Sequence, residues 1–435
     1  MLRARAPRLS PALALFLAAA GSAAGQCTLG WQPVTEVAGT GASVDALVQW
    51  DPDGPGPAPS VIVAGGTFTS IGGVPASNLA MWDGVTWSQL GGGLDGPVNA
   101  VAVLPSGQLV VAGSFGAAGL VPAANIAGYD GHAWHPLGSG TDNVIWALTV
   151  ADDGTLYAGG MFIQAGGVPA NRIARWNGAA WSSLGTGTGN GVGGIVYALC
   201  PRTGGGVCVA GAFTSAGGVA NRRRVAAWDG AAWQAMGAGM NSNVLSIHRR
   251  PSGHVVASGQ FTFAGTVGAS RIAEWDGTQW LTMGAGLNAQ ALCMTSLEDG
   301  TMIAGGHFWI AGSVNANKIA RWDGTAWSAL GLGMDNYVFS LLELPTGELL
   351  AGGGFTTADG QPAPNLAKWG CLDSPCNPDV NQDGNADQGD VDYLINVVAG
   401  GDNPTGIDPD FNRDGNADQA DVDALINVVA GGACP

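Results

Sequence analysis

Basic residues are scarce in this chain. Its 435 residues include 16 Lys and Arg against 33 Asp and Glu, a formal net charge of −17. A nucleic-acid partner needs a basic surface to displace counterions from phosphates, so that class of function is excluded. Histidine and tyrosine are sparse too, five of each, and no histidine pair has a metal-ligand spacing such as His-x-x-x-His. Charged residues make up only 11% of the chain and hydrophobic ones 46%, which argues against disorder. Long apolar runs are missing as well. Ala12 to Ala20 falls well short of the ~20 residues of a spanning helix. It follows Arg3, Arg5 and Arg8 and precedes the small residues Ala23-Ala24-Gly25. This is the pattern of a secretory signal peptide over residues 1–25. The expected product is secreted, extracellular or at the cell surface, with no membrane span.

Glycine and tryptophan are abundant instead, at 73 and 16 residues. They fall into a repeat. A first aromatic recurs at Trp82, Tyr129, Trp176, Trp228, Trp275, Trp322 and Trp369, 47 residues apart except for one step of 52. A second follows at Trp87, Trp134, Trp181, Trp233, Trp280 and Trp327. A fixed period in the forties marks a propeller or solenoid array. Within one unit, "VNAVAVLPSGQLVVAGSF" holds two β-rich runs around Pro105-Ser106-Gly107, and "ANIAGYDGHAWHPLG" holds two more around Asp130-Gly131. Four short strands per unit without helical periodicity predict propeller blades.

The hairpin "NKIARWDGTAW", Asn317 to Trp327, carries a more specific expectation. With Asp323-Gly324 as a two-residue turn, Trp322 pairs with Thr325 and Ala320 with Trp327. All four then share one face, and both rings pack against the next blade. Recurrence in every unit favours this packing role over exposed sugar platforms. Asp83, Asp130, Asp229, Asp276 and Asp323 are read as turn residues. The last unit ends at Trp369 without a second tryptophan. The missing piece stands at the other end of the mature chain, "CTLGWQPV", with Trp31 in that role. The N-terminal strand is therefore expected to close the last blade of a seven-bladed, all-β propeller over residues 26–371.

Gly-Gly-x-Phe followed by Ile-Ala-x-Trp-Asp-Gly-x-x-Trp resembles kelch and galactose-oxidase-like β-propellers, and more closely the repeats of fungal cortical polarity-marker proteins. The resemblance covers Cys27 to Cys371 and implies an architecture, since propellers host many functions. No catalytic constellation accompanies it. The tyrosine, histidine and cysteine copper site of galactose oxidase has no counterpart in the pattern. Arg222-Arg223-Arg224 and His248-Arg249-Arg250 gather basic residues in neighbouring units and are candidates for an anionic glycan or partner.

From Leu372 the composition changes: 13 Asp and a single basic residue, Arg413, give the tail a charge of −12. "DVNQDGNADQGD" starts at Asp379 and "DFNRDGNADQAD" at Asp410. Each places oxygen ligands at loop positions 1, 3, 5, 7, 9 and 12 with Gly at 6, the arrangement that wraps Ca²⁺. The expected ligands are Asp379, Asn381, Asp383, Asn385, Asp387 and Asp390, then Asp410, Asn412, Asp414, Asn416, Asp418 and Asp421, for two ions. A helix is predicted after each loop, with Val391, Leu394, Ile395 and Val398, and Val422, Leu425, Ile426 and Val429, as its apolar stripe. Each stops at Gly-Gly.

Loop then helix, twice, with Asp at position 12, resembles a type I dockerin, here a small α-helical calcium-binding domain over residues 372–435. The resemblance implies docking to a cohesin-like protein module. It also implies partner contacts at Gln388-Gly389 and Gln419-Ala420, where cellulosomal relatives carry a Ser/Thr pair. The whole chain reads as a non-catalytic binding or scaffolding protein. A carbohydrate-active enzyme or accessory protein of polysaccharide degradation is the alternative. Of seven cysteines, Cys27 and Cys371 flank the proposed closing strands and are expected to bond. Cys200 and Cys208 flank one hairpin turn and are paired likewise. Cys376 and Cys434 are paired because the ends of a dockerin meet, and Cys293 is left free.

Overall fold

The computed structural model describes residues 29–371 apart from 36, 40, 55, 57 and 58, and, in the tail, residues 380–381, 388–403, 417 and 419–429. The signal-peptide expectation lies outside them. One compact unit spans Leu29–Leu372, and a second takes in the tail.

The first unit is all-β and propeller-like. Among the described residues, seven four-stranded antiparallel sheets follow one another. Their inner strands are Ser43–Trp50, Val98–Val103, Ile145–Val150, Val196–Pro201, Val244–Arg249, Ala291–Ser296 and Val338–Glu343. Each packs beside the inner strands of the sheets before and after it, and Val338–Glu343 packs beside Ser43–Trp50, so the series closes on itself. Alternation sets the inner strands: Val98, Ala100 and Ala102 are buried while Asn99, Val101 and Val103 are half-buried. The second strands, such as Leu109–Gly113, are buried along their whole length. A strand covered on both faces by neighbouring sheets reads as a continuous apolar run, which is why "LVVAG" lacks alternation. Close approach between sheets also explains glycines there. A Cβ on Gly352 of the last sheet would lie 2.6 Å from Val44 Cγ1 of the first.

The N-terminal strand Leu29–Pro33 pairs with Leu366–Cys371 and completes the last sheet, with Trp31 directly opposite Trp369. Their rings lie 5.4 Å apart. The hairpin expectation needs two corrections. Trp322 pairs with Trp327 and Ala320 with Ala329, so the loop is Asp323–Ala326 rather than a two-residue turn. The reason is the aspartate itself. Asp323 Oδ1 accepts hydrogen bonds from the Thr325 and Ala326 amides, at 2.7 and 2.8 Å, and stabilises the longer loop. The tryptophans still share a face, because directly opposed residues do. Nor do the second tryptophans face the next sheet. Trp327 Nε1 donates to Met283 O at 2.9 Å, Trp280 to Met236 O at 3.0 Å and Trp181 to Leu137 O at 2.8 Å, each on the stretch leaving the preceding sheet. The rings are buried as inter-sheet packing, each worth roughly 2–3 kcal/mol by area.

The expected Cys200–Cys208 bridge is not formed. The two cysteines are direct cross-strand partners but remain buried free thiols. Their mutual hydrogen bond, then burial, holds the Cys200 thiol far above its ordinary range. A cross-strand position brings the sulfurs together without requiring a bond. Cys293 is free. The Cys27–Cys371 and Cys376–Cys434 expectations involve atoms outside the described residues.

In the second unit, helix α1 spans Gln388–Val398 and α2 spans Gln419–Val429. Val380, Val391, Leu394, Val422 and Leu425 form its core. Ile395 and Ile426, expected in the stripe, are instead exposed, at 46% and 47%. In both described helices the core takes a narrower stripe than the sequence offers.

Candidate functional site

The inner strands all begin at one end of the ring, here called the leading end. The register places the two basic stretches at opposite ends, not in one cluster. Arg224 precedes its strand beside Gly211, which pairs with Val196 at the start of an inner strand. Arg249 closes its inner strand and pairs with Val255.

At the trailing end, Thr203, His248, Arg249, Arg250, Ser252 and Ser296 line a depression of about 520 Å³. Its cations are already partnered. Arg249 Nη1 lies 2.8 Å from Asp152, and Arg250 Nη1 3.0 Å from Glu274, which also meets His254. His248 Nε2 lies 2.8 Å from Ser296 Oγ. Burial, reinforced by Arg250 and Arg249, pushes the His248 pKa down to about 4, so the ring is neutral at pH 7. A self-neutralised cluster of this kind attracts an anion weakly.

The leading end is different. One position in every sheet, just before the third strand, holds a left-handed backbone: Asn78, Asn125, Arg172, Arg224, Arg271, Lys318 and Asn365, with φ between 63° and 67°. Asparagine tolerates this region better than most residues. In three sheets it also donates its side-chain amide to the next connection, as Asn125 does to Thr141 O at 2.9 Å. In four successive sheets a cation occupies the position instead. Each is half-buried and donates back to its own sheet: Arg172 to Met161 O, Arg224 to Ala212 O at 2.7 Å, Arg271 to Gln260 O, and Lys318 to His307 O at 3.1 Å.

Around Lys318 the repeat departs furthest from its pattern. Where other sheets have Thr67, Ser114 or Gly354, this one has His307, and where they have Thr69, Thr262 or Thr356, it has Trp309. Asn288 Oδ1 accepts from the amides of Trp309 and Ile310, both at 3.0 Å, and so fixes the loop. The Lys318 ammonium stands 5.6 Å from the Trp309 ring centre and 5.8 Å from that of Tyr337. Tyr337 stacks on His307 at 3.6 Å, and Gln290 Nε2 lies 3.0 Å from His307 Nδ1. Burial and Lys318 together lower the His307 pKa. Trp309 is 53% exposed and Tyr337 38%. A fixed cation flanked by accessible aromatic faces can hold an anionic group attached to an apolar-faced body. None of these residues was singled out as a site from sequence. The signal was present as substitutions at aligned repeat positions, but interpreting it requires knowing that those positions converge on one end.

In the tail, the position-12 residues Asp390 and Asp421 are both fully buried. Asp390 Oδ1 accepts from the Asn381 amide at 3.0 Å, which ties Asn381 to the start of α1. Gln388 donates to Asp392 at 2.9 Å and Gln419 to Asp423 at 3.0 Å, the same contact in both copies. Gln388, Gly389, Gln419 and Ala420 are all exposed. The other expected ligands, Asp379, Asp383, Asn385, Asp387, Asp410, Asn412, Asp414, Asn416 and Asp418, lie outside the described residues.

No family model matches the chain, and no curated protein does. Solved structures do. The extracellular domain of a hybrid two-component system from B. thetaiotaomicron aligns with TM-score 0.50 and 11% identity over 78% of this chain, which spans 40% of that domain. The WD40 β-propeller domain of Doa1 aligns with TM-score 0.48 and 13% identity, covering 79% of this chain and 97% of the other. Virginiamycin B lyase from Staphylococcus aureus gives 0.48 and 8% identity, covering 78% and 99%. Identities this low speak to fold alone, and no helix among the described residues is long and apolar enough to cross a membrane.

Proposed function

We propose that the chain is a secreted, non-catalytic binding protein. Its seven sheets are the blades of a kelch-like ring that presents the leading end to a ligand. Its tail is a dockerin that folds around two Ca²⁺ ions and attaches the ring to a cohesin-like module. The observation that carries the reading is the fixed group of Lys318, Trp309 and Tyr337, where a half-buried cation stands beside exposed aromatic rings. Binding surfaces are enriched in such residues. For the tail, a hard-cation site fits the donor set. It is all oxygen, it is repeated, and in each copy a carboxylate is buried at the start of a helix. The bound ions would neutralise carboxylates that otherwise repel one another. Gln388-Gly389 and Gln419-Ala420 then lie at equivalent exposed positions for a partner.

The test is a pulldown with the full chain against cohesin modules, with calcium and with chelator, alongside assays for turnover of polysaccharides. Calcium-dependent capture without turnover is expected. Capture that survives chelation, or steady product release, would overturn the reading.

A further inference from the structure

The cations at the leading end are not scattered. Arg172, Arg224, Arg271 and Lys318 stand at one structurally equivalent position in four consecutive sheets, each with its backbone amide bonded to the carbonyl of the matching phenylalanine, from Phe162 to Phe308. The remaining three sheets carry neutral asparagine there. Exposed apolar side chains also stand at this end, in sheets of both kinds. Ile163, Phe263 and Trp309 lie on the loops of the sheets that carry Arg172, Arg271 and Lys318, and Leu120 lies on that of the sheet that carries Asn125. Half of the ring therefore presents a crescent of evenly repeated cations, with an exposed apolar side chain on the loops of three of those sheets, in a chain of net charge −17. The other half does not.

We infer that this crescent binds an acidic polysaccharide whose carboxylates recur along the chain, a polyuronate. The inference rests on the proposed binding function and names its ligand class. Three features of the surface select the polymer. The cations repeat with the sheets, so they match a ligand that repeats its charge. Each is tethered to a main-chain carbonyl through one donor, and an ammonium has three donors and a guanidinium five, so donors remain for a carboxylate. The exposed indole and phenyl faces suit the C–H faces of pyranose rings between the charges. An acidic peptide would satisfy the cations but would leave the exposed apolar faces beside them without a partner.

The repeat itself supplies variants that should fold. Arg271→Asn with Lys318→Asn installs the residue that Asn78, Asn125 and Asn365 already show to be compatible with this backbone. Trp309→Thr installs the residue at Thr69, Thr262 and Thr356. Full-length protein in calcium is titrated with polygalacturonate, a neutral galactan and poly-glutamate, by calorimetry and affinity electrophoresis. Expected results are binding to polygalacturonate alone, weakening steeply with salt, and a loss of about tenfold or more in the double variant and in Trp309→Thr, with thermal transitions unchanged. No binding to polygalacturonate, or binding that the variants leave intact, overturns the inference. Poly-glutamate bound as tightly as polygalacturonate also overturns it while leaving the binding function standing. Depolymerisation of bound polygalacturonate supports the ligand class and overturns the non-catalytic reading instead.

Discussion

Trp31, near the start of the described chain, donates its indole N–H to Leu330 O at 3.1 Å, 299 residues away. The same bond joins Trp134 to Gly91, Trp181 to Leu137 and Trp233 to Leu184. Closure of the ring therefore uses the contact that joins its other sheets, supplied from the opposite end of the chain. Trp31→Phe keeps most of the apolar area and orphans a buried carbonyl, and should cost about 1–3 kcal/mol. Trp31→Ala also leaves a cavity and should cost about 3–5 kcal/mol. Denaturant unfolding of the two variants checks the order and the sizes.

The hairpin aspartates predict an acid limb. Backbone hydrogen bonds from Ala232 and Ala231 lower the Asp229 pKa to about 2, and those from Gln279 and Thr278 do the same for Asp276. Asp83, Asp130 and Asp323 are lowered by the same kind of bond. A depressed folded pKa means stability present above the unfolded value, 3.8, and lost as pH falls through the folded one. Thermal midpoints should thus be insensitive to these groups above pH ~5 and fall between pH ~4 and ~2. Asn177 already makes the same two contacts without titrating. Replacing the five aspartates by Asn should flatten the limb, as midpoints measured across that range would show.

Thiol chemistry gives a third expectation. Cys200, Cys208 and Cys293 are free, and Cys200 and Cys208 are buried. Burial pushes the Cys293 thiol up, as hydrogen bonding and burial do for Cys200. In native protein all three should resist a thiol reagent for hours, and all three should react at once in denaturant. Alkylation followed by peptide mass mapping reads this directly. A native Cys200–Cys208 disulfide in the map would contradict the structure.

Calcium should act on one unit alone. Among the described residues the tail core is Val380, Val391, Leu394, Val422 and Leu425, few apolar groups to hold a domain of this size without a staple. Metal-binding energy then becomes folding energy. Calorimetry of the full chain should show two transitions, and chelator should abolish the smaller and leave the larger in place. Asp383→Ala with Asp414→Ala, or Asp390→Ala with Asp421→Ala, should reproduce chelation. Helical signal unchanged by chelator would sink the idea.

Much of this molecule is determined by local sequence. A period of 47 residues, four β-rich runs in each unit and a tryptophan missing from one end and present at the other specify the sheets and their closure, because each sheet buries its faces only against copies of itself. Alternation in Val98–Val103 and the helical stripes of the tail are legible for the same reason: side-chain period reports local geometry directly. Tertiary structure decided what depends on register and direction. Whether Trp327 turns to the sheet before or after, whether Asp323 opens a two- or four-residue loop, and whether Cys200 and Cys208 bond are settled by distances that no local pattern encodes. The same holds for the site. Lys318, Trp309, Tyr337 and His307 are spread over 31 positions and read singly as irregularities of a repeat. Only the antiparallel register, which brings the end of each second strand and the start of each third strand to the leading end, makes them one surface.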